Sequence, residues 1–245
     1  MRELTSNTFP PLWRRGVYEA MYRRRDVRRF LTRPVSDKLI RRILRAAHQA
    51  GSMGMMQPWN FLIIKDLGIK HRVKQEFIRA NQEAGRVSED ERQRLDQNLT
   101  SEAIEQAPIN LAVTCDRSRR GPPHVLGRHT VIDPDLFVTC CALQNLWLAA
   151  RAEGVGVGWV NILDPSAMAG ILGLPAGIVL VGYLCMGHVA RFTDAPTLET
   201  AGGESRLSLE SVLFYDHWGN RAPGTQSDAP STRTTRSLPR GSPGT

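Results

Sequence analysis

No apolar run in these 245 residues approaches the roughly 18 to 20 needed to span a bilayer. The opening residues, Met1-Arg2-Glu3-Leu4-Thr5-Ser6-Asn7, lack the apolar core of a secretory signal. A membrane or exported protein is therefore not expected, and the chain reads as cytoplasmic. Cysteine is scarce: Cys115, Cys140, Cys141 and Cys185 form no C-x-x-C and no disulfide-like spacing, so buried free thiols are the expectation. The six histidines contain no H-x-x-x-H, and only His124 and His129 sit five apart, so no metal site is expected. The absence of G-x-S-x-G and of G-x-x-x-x-G-K-[ST] argues against a hydrolase elbow and excludes a P-loop. Gly154-Val155-Gly156-Val157-Gly158 looks like a dinucleotide loop, but the third glycine of G-x-G-x-x-G would fall at Trp159, and the segment enters a strand. These glycines suit close packing or close ligand approach within a sheet. Aromatics make up only 7% of the chain and no nucleic-acid recognition signature is present, which argues against nucleic acid as a partner.

Positive charge, by contrast, is abundant and localised. The formal net charge is +8. From Trp13 to Arg45 there are twelve Lys/Arg against three Asp/Glu, which leaves the rest of the chain at minus one. At its centre lies Arg23-Arg24-Arg25-Asp26-Val27-Arg28-Arg29-Phe30, with five arginines in seven positions. Arginine recognises phosphate through paired, charge-assisted donors, so Arg24, Arg25 and Arg28 are candidates to hold a phosphorylated ligand. A solvated charged surface is the plainer reading of the same run. Asp26 cannot help to bind phosphate. Either it pairs with its neighbours, or it faces another part of the ligand and does chemistry.

The pattern between the ends predicts one folded unit over 13–220, preceded by an extended arm over 1–12. Residues 221–245 are rich in Pro, Gly, Ser, Thr and Arg and cannot bury enough surface to offset ordering entropy, so a disordered tail is expected. Helical spacing is expected over 13–23 and from Ser36, a good N-cap, through Leu39, Ile40, Ile43, Leu44 and Ala47. One or two helices are expected over 69–106, with a break near Gly85. The helix over 133–152 is apolar nearly all round, as at the centre of a core or at an oligomer interface. A short helix covers 164–172. Strands are expected over 60–65, 110–114, 155–162 and 178–187, and residues 207–214 as a helix or strand. Helices first, then strands separated by helices, suit an α+β domain with a mixed sheet.

Two further segments stand out. Ala50-Gly51-Ser52-Met53-Gly54-Met55-Met56-Gln57-Pro58-Trp59-Asn60 either lets backbone approach a planar ligand beside a polarisable wall, or is a turn with core methionines. Gly158-Trp159-Val160-Asn161-Ile162-Leu163-Asp164-Pro165 ends a strand in a polar residue and a turn. With the arginine run, these segments resemble the FMN-dependent nitroreductase-like family. Arg24-Arg25-Asp26-Val27-Arg28-x-Phe30 is similar to its R-R-S-x-R-x-F phosphate motif. Aspartate in place of serine resembles one branch, the aerobic 5,6-dimethylbenzimidazole synthases of cobalamin biosynthesis. Val113-Thr114-Cys115-Asp116-Arg117-Ser118, Gln144-Asn145-Leu146-Trp147 and Ile171-Leu172-Gly173-Leu174-Pro175 extend the likeness, which covers roughly 13–219.

The resemblance implies a nitroreductase-like mixed sheet flanked by helices, in a homodimer with flavin sites at the subunit interface. It implies that Arg24, Arg25 and Arg28 bind the FMN phosphate and ribityl oxygens, with Asp26 and Val27 in the same segment. Ser52 would contact the flavin from the partner loop, Asn81 would close the site, Asn161 and Ile162 would lie near the ring, and Arg206 would add a late phosphate contact. Reduced FMN would be the substrate and O2 the co-substrate, with Asp26 in proton transfer. NAD(P)H would act indirectly, through a separate flavin reductase. The branch carries serine where this chain has Asn161, near the reactive end of the flavin. An FMN-retaining NAD(P)H-dependent reductase is the alternative, and a non-catalytic basic binding protein the third reading.

Overall fold

In the computed structural model, which describes residues 7–83, 91–119, 132–195 and 206–221 (backbone alone for 91–96), the chain divides into two units, Met1–Thr197 and Leu198–Thr245. The first unit is built on four strands: β1 (Trp59–Ile64), β2 (Ile109–Asp116), β3 (Val155–Val160) and β4 (Ile178–His188). Their order is β1-β2-β4-β3, and every neighbouring pair is antiparallel. The parallel component is a single bridge, Asp26 to Val157, at the free edge of β3.

Strand side chains alternate between two helical layers, as the period of two requires. Ile109, Leu111 and Val113 of β2, with Leu184 and Met186 of β4, pack with α2 (Asp37–His48) and α5 (Pro134–Ala152). Ala112, Tyr183 and Cys185 point the other way, toward α3 (Leu67–Glu83), α4 (Glu91–Gln106) and α6 (Pro165–Leu172). Covering both faces explains why β2 is buried along nearly its whole length.

The helices follow their sequence signals closely. α2 buries Ile40, Ile43 and Ala47 while Arg41, Arg42 and Arg45 stay exposed, and the Ser36 hydroxyl accepts from the Leu39 N–H at 3.3 Å. Asp164 caps α6 in the same way, accepting from the Ala167 N–H at 2.7 Å. α1 (Pro11–Arg23) starts two residues ahead of the expected Trp13, because proline suits a first helical position. Asp133 precedes α5 but does not cap it with its side chain. Its backbone is left-handed, at φ 54°, and its carboxylate instead pairs with Arg117.

Buried polar groups tie the layers together. Lys70 of α3 donates to the Ala107 carbonyl at 2.6 Å and to that of Pro108 at 3.3 Å. Glu76 accepts from Arg79 and from the Asp164 N–H at 3.1 Å, which joins α3 to the start of α6. Asn110 donates to the Ile104 carbonyl and to the Tyr183 hydroxyl. Burial pushes the Cys185 thiol up to about 12, so it stays protonated. All four cysteines are free, but only Cys115 and Cys185 are buried. The expectation of four buried thiols fails at Cys140 and Cys141, which sit on the outer face of α5.

In the second unit the 207–214 segment contains a short helix, α7 (Leu209–Val212), with Ser208 as N-cap. Arg221 donates to the Glu210 carbonyl and stacks on Phe214 at 4.8 Å. No helix among the described residues is long and apolar enough to cross a membrane. The first six residues of the arm, the break near Gly85, His124 and His129, and the tail beyond Arg221 lie outside the described residues.

Candidate functional site

After α1 the chain turns and lies across β3 and β4. The Val27 N–H donates to the Val157 carbonyl at 3.0 Å, and the Leu31 N–H to that of His188 at 2.8 Å. Glycines make this close approach possible. A Cβ at Gly158 would fall 2.0 Å from the Val27 carbonyl oxygen. One at Gly156 would meet both Val27 methyls at 3.2 Å, and one at Gly187 would meet Phe30 at 3.1 Å. Gly156 pairs with Gly187 across the two strands, so the glycines form a trough in which 27–30 rests. The close packing expected of the glycine run is what the fold uses.

That trough fixes Asp26. Its Oδ1 accepts from the Trp159 N–H at 2.9 Å, and its Oδ2 pairs with Arg28 at 2.7 Å. The Arg28 side chain is 17% exposed and that of Asp26 39%, so the pair lies at the margin of the core. Asp26 therefore does pair with its neighbour.

The other arginines gather nearby. Arg24 lies over the Trp147 ring at 4.5 Å, a cation–π contact. Arg25 donates to the carbonyls of Tyr22 and Arg24, each at 2.8 Å, and to that of Asp194, while its buried Nε meets no acceptor among the described residues. Arg151, in the last turn of α5, donates to the Arg23 carbonyl at 2.9 Å and stacks on Phe192 at 4.0 Å. Burial, then the charges of Arg23 and Arg25, pull its guanidinium below the usual arginine value. Crowded guanidinium groups of this kind fit an anionic ligand, whose charge would relieve their repulsion.

Asn161 follows β3 directly, two residues beyond the Trp159 N–H that Asp26 holds, and is exposed; Ile162 beside it is half-buried. Arg24, Arg25, Asp26, Val27 and Arg28 thus run along the free edge of β3, where Asp26 bridges Val157, while Asn161 and Ile162 follow the C-terminal end of the strand. Ser52 lies in a separate loop, where its hydroxyl accepts from the Gln57 N–H at 2.8 Å. Asn81 is buried on α3 and donates to the Phe77 carbonyl at 2.7 Å, with no donor to its own carbonyl oxygen among the described residues. Arg206 belongs to the second unit. Sequence reasoning missed Arg151 as a member of the cation cluster. A basic residue in a last helical turn reads first as a partner of the helix dipole, and only folding sets it beside Arg23 and Arg25.

The architecture and the arginine segment have counterparts. Residues 21–188 match the model of the Nitroreductase family. The chain belongs to the nitroreductase family. It is 37% identical over 202 residues to the 5,6-dimethylbenzimidazole synthase of Rhodospirillum rubrum, which covers 82% of this chain and 95% of that protein. It is 34% identical over 203 residues to the 5,6-dimethylbenzimidazole synthase of Rhodobacter capsulatus, with 82% and 97% covered. Among solved structures, oxidized iodotyrosine deiodinase bound to FMN and 3-iodo-L-tyrosine superposes with a TM-score of 0.65 at 19% identity, covering 82% of this chain and all of that one. At that identity the likeness establishes the nitroreductase fold of this chain and nothing finer.

Proposed function

We propose that this nitroreductase-family enzyme makes 5,6-dimethylbenzimidazole, the lower-ligand base of cobalamin, by oxygen-dependent fragmentation of reduced FMN. The observation that carries the reading is Asp26, a carboxylate locked between the Trp159 N–H and Arg28 in the midst of the arginines. Similarity to two proteins named 5,6-dimethylbenzimidazole synthase supports it. Reduced FMN, as substrate, supplies the ring system that reacts with oxygen and releases the base with a four-carbon sugar phosphate.

The chain's own residues then divide the work. Arg24, Arg25 and Arg28 hold the phosphate and ribityl oxygens. Asp26, fixed by Arg28 and the Trp159 N–H, is positioned to take a proton near the ribityl chain. Asn161 and Ile162 border the ring, Ser52 meets it from the other subunit, and Asn81 closes the site. The homodimer is part of the reading: Phe137, Cys140, Cys141 and Gln144 form an exposed stripe on α5 that a second copy would cover. Reduced FMN reaches the site from a separate flavin reductase that consumes NAD(P)H.

The decisive experiment is aerobic incubation with FMN, NADH and a separate flavin reductase, followed by mass analysis. Formation of 5,6-dimethylbenzimidazole is the expected result. Complete recovery of FMN would overturn the reading in favour of an FMN-retaining reductase. Asn161 is the observation that favours this second reading, since it offers an exposed amide where the synthase-like branch carries a hydroxyl. Asn161→Ser is expected to raise the ratio of base formed to peroxide released. A tenfold change needs only about 1.4 kcal/mol of differential barrier, within reach of one hydrogen bond.

A further inference from the structure

The Asp116-Arg117-Ser118 motif has no part in the proposed chemistry, yet with Arg119 it grips the Ser52 loop. Backbone φ angles in that loop are 57° at Gly54, 53° at Met55 and 44° at Gln57. Glycine adopts such angles freely, whereas methionine and glutamine do so only where surrounding structure compels them. At Gln57 the compulsion is visible on both sides of the residue. Its N–H donates to Ser52 Oγ at 2.8 Å, and its carbonyl accepts from Arg119 Nη1 at 2.8 Å. The same guanidinium reaches the Trp59 carbonyl at 3.3 Å and Asn60 Oδ1 at 2.8 Å.

Arg119 is itself held firmly. Asp116, at the end of buried β2, accepts from the Ser118 N–H at 2.9 Å, the Ser118 hydroxyl at 2.6 Å and the Arg119 N–H at 3.2 Å. The Asp116 N–H in turn donates to the Pro58 carbonyl at 2.8 Å. An Asx turn on a rigid strand therefore aims Arg119 at the Gln57 carbonyl of the loop and at two acceptors where β1 begins.

This grip dictates what Ser52 presents. The Gln57 N–H occupies a lone pair of the Ser52 oxygen, and no group among the described residues accepts the hydroxyl proton. One lone pair is thus used, and the hydroxyl proton is left available for a further acceptor. We infer that Arg119 is a positioning residue, which holds the Gln57 turn so that Ser52 donates its hydroxyl proton to the bound flavin. The inference rests on the proposed reading that Ser52 meets the flavin.

A double-mutant cycle on the full chain tests it, with oxidised FMN as the probe and quenching of flavin fluorescence as the readout. Ser52→Ala and Arg119→Ala are each expected to weaken FMN about tenfold, and the double variant to stay within about threefold of the weaker single one, because both remove the same interaction. The visible circular dichroism of the bound flavin should change alike in both single variants. Arg119→Lys keeps the charge but cannot reach all three acceptors, so an intermediate loss is expected; it is the decisive variant if Arg119→Ala does not fold. Native affinity in Arg119→Lys and Arg119→Ala beside a weakened Ser52→Ala would overturn the clamp and leave the flavin reading standing. Losses that multiply in the double variant would also overturn it. Unchanged affinity in Ser52→Ala would remove the donor role. Failure of the native chain to bind FMN would sink the functional reading itself.

Discussion

One methyl group at Gly158 would fall 2.0 Å from the Val27 carbonyl oxygen, far inside van der Waals contact with backbone that no rotamer change can move. Gly158→Ala is therefore expected to cost about 3 kcal/mol of stability, at the upper end of overpacking penalties. It should also lift 26–28 off β3 and lose FMN affinity, so thermal unfolding and FMN titration should fall together. Asp26→Asn is the gentler probe. The amide oxygen can still accept from the Trp159 N–H, while the charge facing Arg28 disappears. With the Asp26 side chain 39% exposed, the lost ion pair should cost under about 1 kcal/mol. Reduced-FMN binding should stay within a few-fold of native while product formation is abolished, as single-turnover mass analysis would reveal. Unchanged product formation would reduce Asp26 to a salt-bridging residue. That neighbouring pair was already legible in the arginine run. The trough beneath it was only half legible, because glycine spacing announces close packing without saying what packs.

At the scale of elements, α3 and α4 are pinned by Glu105, which accepts from Lys74 at 2.6 Å and bonds His71 at 2.8 Å. The Lys74 bond first, then the His71 bond, hold the Glu105 carboxyl below its ordinary value of 4.5. A carboxylate whose pKa is depressed by folding stabilises the native state fully above its unfolded value. That contribution is lost as pH falls through the folded value. Glu105→Gln should therefore cost under about 1 kcal/mol at pH 7, given its partial exposure, and nothing once both forms are protonated in acid. Urea unfolding of the two proteins at neutral and acid pH checks this; a gap that persists in acid would assign the effect to packing. Most helices were predicted to within a residue or two of their ends, because caps and apolar spacing are local signals. Asp133 makes no side-chain cap at the start of α5, since Arg117, sixteen residues earlier, takes its carboxylate.

For the molecule as a whole, the exposed α5 stripe and the arginine cluster make separate predictions. If a second copy covers Phe137, Cys140 and Cys141, sedimentation at micromolar concentration should show a dimer. Thiol labelling of Cys140 and Cys141 should then be slow in that dimer and quicken on dilution. A flavin-competent monomer would exclude a site shared between subunits. Phosphate recognition predicts that FMN binds far more tightly than riboflavin, since each charge-assisted hydrogen bond to phosphate contributes about 1.5 to 3 kcal/mol. Equal affinities under anaerobic, reducing conditions would remove Arg24, Arg25 and Arg28 from that role.

Sequence by itself determined the parts whose causes are local. The short strand at 110–114, the Ser36 cap with its helical spacing and the arginine run with its lone carboxylate could all be read in order along the chain. Its motifs also sufficed to find the family. Tertiary structure decided what depends on residues meeting across long separations. It laid 26–30 on the glycines of β3 and β4, put Arg151 beside Arg23, and split the cysteines into a buried and an exposed pair. It also carried Arg119 some sixty residues back along the chain to the Ser52 loop. A guanidinium's choice among carbonyls, carboxylates and a phosphate depends on which of them folding brings within reach, and no local pattern of residues encodes that choice.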